Sequence, residues 1–127
     1  MITAIDNIGI AAGDPKRSVG FYEKLGFTNA FANDRGCLMV AGAARLFIFL
    51  AKEAGAAPPR RAFDLNNPPG IDHISFLVDD VDRTYEEIRG RGVEFESAPA
   101  DQPWGARAAM LRDPDGNNIY LLTWLRQ

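Results

Sequence analysis

Ile5-Asp6-Asn7-Ile8-Gly9-Ile10 and Ile71-Asp72-His73-Ile74-Ser75-Phe76 are two versions of one hexapeptide, the second 66 positions after the first. The same displacement, carried forward without a gap, sets Asp14 on Asp80, Arg17 on Arg83, Gly26 on Gly92 and Phe27 on Val93. A constant shift over so many positions marks an internal duplication, and a duplication decides the architecture. Each copy reads as a strand with alternating apolar residues, a turn, an amphipathic helix stopped by glycine, and further strand.

In the first copy Asp14 is an N-cap whose carboxylate accepts free amide hydrogens of the first turn, and Pro15 suits the position after it. A helix is predicted over 15–25, with Val19, Tyr22 and Leu25 on one face. In the second copy Asp80 caps a helix over 81–89, with Val81, Tyr85 and Ile88 as the apolar stripe. Lys24, Glu86, Glu87 and Arg89 fall on solvated faces. Strands are predicted at 37–40 and 45–50, joined at Gly42, with Phe47 and Phe49 on one face and Leu46, Ile48 and Leu50 on the other. The second copy repeats this hairpin at 106–111 and 118–124, joined by Asp113-Pro114-Asp115-Gly116-Asn117. The expected division is module 1 at 3–52, a linker at 53–69 containing Pro58-Pro59 and Pro68-Pro69, and module 2 at 70–126. A linker this long is also expected to cover a cleft.

Composition narrows the partners. A chain of 127 residues, 46% hydrophobic and 24% charged, is enough for one globular domain with a real core. A formal charge of −3 with both signs interspersed provides no basic face for nucleic acid or an anionic membrane. The longest fully apolar run, 46–51, is far below the roughly 20 residues of a membrane span. No basic start followed by an apolar run marks a secretory leader, so a cytoplasmic protein is expected. Cys37 is the single cysteine, which excludes an internal disulfide and a thiolate zinc cluster; it reads as a small buried hydrophobe.

The opening hexapeptide, the helix around Arg17-Ser18-Val19 and Phe21-Tyr22 with Leu25-Gly26-Phe27, then Pro103-Trp104-Gly105 and the Asp113–Asn117 turn together resemble the vicinal oxygen chelate superfamily. That group contains glyoxalase I, the bleomycin-resistance proteins and the extradiol dioxygenases. The resemblance implies an α+β fold of two βαβββ modules, their curled mixed sheets around a cleft, and commonly a homodimer. In the metal-dependent members it also implies four inward-facing ligands, usually His or Glu, from the first and last strand of each module. The matching positions here are Asn7, Phe47, His73 and Tyr120. Only His73 is an ordinary ligand, whereas a catalytic divalent ion wants about three N, O or S donors. No metal and no cofactor are therefore expected.

The cleft has aromatic and amphipathic surface in place of ligands. Alternation turns Asn7, Gly9, His73 and Ser75 inward, puts Phe47 with Phe49 and Tyr120 with Leu122 and Trp124, and leaves Trp104 and Arg107 near the rim. Flat side chains with a few polar tips suit a small, aromatic organic ligand. Each large apolar residue reads equally well as core, and Arg107 as a solvated strand residue rather than an anchor for an anion. His73 is either a hydrogen-bonded structural residue or a general base. Two functions fit best, a metal-independent binder of the bleomycin-resistance type, serving sequestration or resistance, and a glyoxalase-like lyase or isomerase using His73 or a non-standard metal site; a cleft that has lost function or serves only in assembly is the third reading.

Overall fold

The computed structural model describes residues 1–52 and 60–125. Backbone contacts divide the chain into two units, Met1–Ala56 and Ala57–Gln127. In the first unit β1 (Ile8–Ala12) is followed by α1 (Pro15–Lys24), β2 (Thr28–Ala32), β3 (Cys37–Ala41) and β4 (Ala44–Leu50). The second repeats the order with β5 (Ile74–Leu77), α2 (Val81–Gly90), β6 (Ser97–Asp101), β7 (Ala106–Arg112) and β8 (Asn118–Trp124). Each is a βαβββ unit, with sheet orders β1-β4-β3-β2 and β5-β8-β7-β6. In each sheet the first strand runs parallel to the last and the other neighbours are antiparallel, so both sheets are mixed.

The paired caps form as the sequence dictates. Asp14 accepts the Arg17 amide at 3.4 Å and Asp80 the Arg83 amide at 3.1 Å, both from extended backbone. Helix α1 buries Ser18 and Tyr22, and the Tyr22 ring meets Phe27 edge-on with centroids 5.6 Å apart. Ile10, Ala12, Met39, Leu46 and Ile48 complete that core. In the second unit Val81 and Ile88 of α2, with Ala109, Leu111, Ile119 and Leu121, form the equivalent core. Each buried Leu or Ile contributes about 1.5–3 kcal/mol of transfer free energy.

Two boundaries differ from expectation. The opening hexapeptides are not strand throughout: pairing begins at Ile8↔Leu46 and Ile74↔Ile119, leaving Asn7 and His73 one residue before their strands. For His73 the cause is visible, since Asn118 gives its side-chain amide to the Asp72 carbonyl (3.3 Å) and to the Arg60 carbonyl (2.7 Å), and the turn before Asn118 has no extended backbone to pair. The expected linker 53–69 falls partly outside the described residues, at 53–59. Its remainder packs with the second unit: Arg60 donates to the Pro68 carbonyl at 2.9 Å and Phe63 N–H to Asp72. No helix among the described residues is long and apolar enough to cross a membrane.

Candidate functional site

The site grows from the β7–β8 ladder, whose register opposes Ala106 to Trp124, Ala108 to Leu122 and Met110 to Tyr120. Parallel pairing sets Ser75 beside Tyr120. Alternation then sends Ser75, Tyr120, Leu122 and Trp124 to one face of the sheet. Ala106, Ala108 and Leu122 form a small buried cluster there, and Tyr120 packs against it.

Two loops add rings to this face. The β6–β7 turn, closed by Gly105 N–H to the Gln102 carbonyl at 3.1 Å with Gly105 at φ 95°, presents Trp104. Its indole lies 5.8 Å from that of Trp124 and 6.5 Å from the Tyr120 ring, both edge-on. From the opposite side the 60s loop brings Phe63, 5.9 Å from Tyr120 and 4.9 Å from the His73 ring. His73 itself stands edge-on to Tyr120 at 5.0 Å. The outcome is a continuous run of five rings, Phe63, His73, Tyr120, Trp104 and Trp124. Three of its members, Phe63, Trp104 and Trp124, keep 62%, 44% and 43% of their surface exposed.

Asp72 organises one end of the run. Its Oδ2 lies 2.7 Å from His73 Nδ1, and both carboxylate oxygens accept the Phe63 N–H, at 2.9 and 3.0 Å. Phe63 is the non-glycine residue at positive φ (59°) among the described residues, a conformation of sparse population that this double acceptance helps hold. The His73 hydrogen bond, with the Phe63 and Asn67 donors, holds the Asp72 carboxyl below the usual carboxylate range. Burial, and then the Asp72 charge, push the Tyr120 phenol up, so it remains a protonated donor at neutral pH.

The residues expected to form a site divide between the two units. His73, Ser75, Trp104, Tyr120, Leu122 and Trp124 share this face of the second unit. Arg107 points to the other face, where Asp82 of α2 takes its Nε and Nη2 at 2.8 and 2.9 Å and Asp101 its Nη1 at 3.0 Å. These two carboxylates raise its pKa and hold it as a clamp between helix and sheet. Asn7, Phe47 and Phe49 belong to the first unit, where Asn7 donates to Asp6 at 2.9 Å and the Phe47 and Phe49 rings stack 6.2 Å apart. Phe63 and Asp72 went unrecognised in the sequence. Phe63 sits in an aperiodic stretch and carries no signal, whereas the Asp72-His73 adjacency was legible as a carboxylate beside an imidazole.

The donors do not suit a divalent ion. Tyr120 is held protonated, the Asp72 oxygens are occupied by Phe63 and His73, and among the described residues no three His, Cys, Asp or Glu side chains gather to hold a metal. What the arrangement offers is stacking surface, an imidazole nitrogen and a phenol.

Two mixed sheets of βαβββ order, each backed by one helix, define an α+β protein of duplicated modules, the second of which carries a ring-lined face. The chain belongs to the glyoxalase/bleomycin resistance protein/dioxygenase superfamily, which its sequence matches over residues 4–121. It is 28% identical over 123 residues to the uncharacterised protein YwkD of Bacillus subtilis, covering 91% of this chain and 92% of that one. A member of the same superfamily from Sphaerobacter thermophilus has a similar structure, with a TM-score of 0.71, 28% identity, and coverage of 95% and 97%. A bleomycin-binding protein crystallised with bleomycin shares the fold at a TM-score of 0.71 and 23% identity, over 95% of this chain and 98% of that one.

Proposed function

We propose that this protein binds a small aromatic organic molecule without a metal ion and acts by sequestering it. The observation that carries the reading is the five-ring run from Phe63 to Trp124, with three of its members half-exposed. An aromatic ring stacked on such a surface gains about 0.5–1.5 kcal/mol per ring pair beyond the area it buries. The bleomycin-binding neighbour supports a ligand of this kind by fold alone. The active form is read as a homodimer, which a mass from light scattering checks in the same preparation.

Titration with proflavine, and separately with bleomycin, tests the binding. Trp104 and Trp124 are the chain's two tryptophans, so quenching of their emission at micromolar probe is the expected result. Unchanged emission at millimolar concentrations of both probes, with calorimetry also silent, would reject the binder. The Asp72–His73 contact favours a second reading, a lyase or isomerase of glyoxalase ancestry with His73 as general base. Turnover of the hemithioacetal of methylglyoxal and glutathione, abolished by His73→Ala, would establish that reading in place of the first.

A further inference from the structure

Resting on the proposed binding role, a narrower statement about the ligand follows from the hydrogen atoms around His73. An ionised carboxylate has lone pairs and no hydrogen to give, so in the 2.7 Å contact between Asp72 Oδ2 and His73 Nδ1 the imidazole is the donor. A neutral imidazole carries one N–H, so its other nitrogen, Nε2, holds a lone pair. No described group hydrogen-bonds Nε2. Among the described residues no buried side-chain nitrogen or oxygen lacks a partner, and His73 is only partly buried, so the unpartnered Nε2 reaches solvent. The same reasoning opens the Tyr120 hydroxyl. Phe63 and Tyr120 both pack on the imidazole, at 4.9 and 5.0 Å, and on each other at 5.9 Å, so Nε2 belongs to a cluster of three rings.

We infer that Asp72 is a positioning residue that locks His73 as the Nδ1–H tautomer, making Nε2 a hydrogen-bond acceptor in the aromatic run and selecting planar ligands that carry an N–H or O–H on their edge. The depressed pKa of Asp72 agrees with its role as acceptor. The duplicated position shows the alternative: Asn7, counterpart of His73, also donates to its preceding aspartate, but an amide has no tautomer for that contact to fix.

His73 is the single histidine of the chain, so a long-range proton–nitrogen correlation spectrum of the imidazole contains one spin system. It is recorded at the alkaline end, where it no longer changes with pH. The expected pattern is a protonated Nδ1 and an unprotonated Nε2; the opposite pattern overturns the tautomer lock. Indole and 1-methylindole, which differ by one N–H donor, test the selection by calorimetry and by the shift of Nε2. Indole is expected to bind about tenfold tighter and to move the Nε2 resonance, as one lost hydrogen bond implies. Asp72→Asn keeps an oxygen for the Phe63 amide but offers an N–H to Nδ1, so His73 should change to the Nε2–H form and the preference for indole should fall to near parity. A steric objection to the methyl group predicts instead that the preference survives in Asp72→Asn, and that result rejects the selection. Should Asp72→Asn fail to fold, the wild-type spectrum and the wild-type preference still decide. Equal binding of both indoles by the wild type overturns the selection while leaving the aromatic binder standing. Binding of neither rejects the binder and the selection together, and the tautomer is then judged on the spectrum alone.

Discussion

The two units share a ladder and differ in what they lay on it. Gly9 pairs with Phe47 as Ser75 pairs with Tyr120, and Leu38 lies opposite Phe47 as Met110 lies opposite Tyr120, so Phe47 occupies the Tyr120 position and Gly36 the Ala108 position. In the first unit this face carries two half-buried rings, Phe47 lying against Gly36 and stacking on Phe49. In the second the same face is met by Phe63 and Trp104 from loops and carries an open imidazole and phenol. Lys16 stands where Asp82 does, so the helix-to-sheet clamp on Arg107 is also confined to the second unit. Duplication has kept the caps and the strand order, which every copy needs to fold, and has let the side chains on one face diverge. The titratable ring side chains of that face, His73 and Tyr120, stand on one copy.

The largest expected effect breaks the packing of the first unit's face. A Cβ on Gly36 would sit 2.5 Å from the Ile48 carbonyl oxygen and 2.8 and 2.9 Å from the Phe47 ring. The ring can turn aside but the carbonyl belongs to β4, so the strands must separate. Gly36→Ala is expected to cost about 1–3 kcal/mol, read as a lower urea midpoint at an unchanged slope. The counterpart Ala108 already carries a methyl, buried beside Leu122. A neutral Gly36→Ala would show that the two faces pack alike after all.

How far the sequence foretold this follows from the range of the forces involved. The helices, both N-caps, the β3–β4 and β7–β8 hairpins and the duplication were legible because caps, turns and periodicity act over a few residues. The Phe47 position, which no constant offset in sequence fixes, becomes certain only through strand register. Arg107 looked like a rim residue because strand parity alone does not say which face a helix covers; Asp82, 25 positions away, decides it. Phe63 was invisible because its place depends on a positive φ and on a carboxylate nine residues on, and neither leaves a local pattern.

A middle-sized effect sharpens the comparison at the level of binding. Trp104→Ala removes the ring that joins Tyr120 to Trp124, and affinity for proflavine is expected to fall about tenfold, the sum of lost stacking and lost buried area. Phe49→Ala, in the stacked pair of the first unit, should cost less affinity and more stability, since its partner Phe47 loses a packed neighbour. Paired calorimetric titrations and melts of the two variants measure both quantities. Reversal of that order would move the binding surface to the first unit.

The smallest effect concerns a proton that the first unit lacks. Phe47 cannot titrate, whereas the Tyr120 phenol is raised above its ordinary value, first by burial and then by the negative charge of Asp72. A folded pKa above the unfolded one means that folding favours the protonated phenol. Its contribution is fully present below the ordinary tyrosine value of about 10 and is lost as the pH climbs through the folded value. The difference in alkaline ultraviolet absorbance between wild type and Tyr120→Phe isolates this ionisation from the other two tyrosines. It should come later than that of free tyrosine, and in an Asp72→Asn background it should come earlier than in the wild type, because the charge opposing phenolate has gone while the burial remains. A transition at the free-tyrosine value in both backgrounds would mean that water reaches this face as freely as it reaches the surface, and the ring run would then lack the dry wall on which its stacking energy depends.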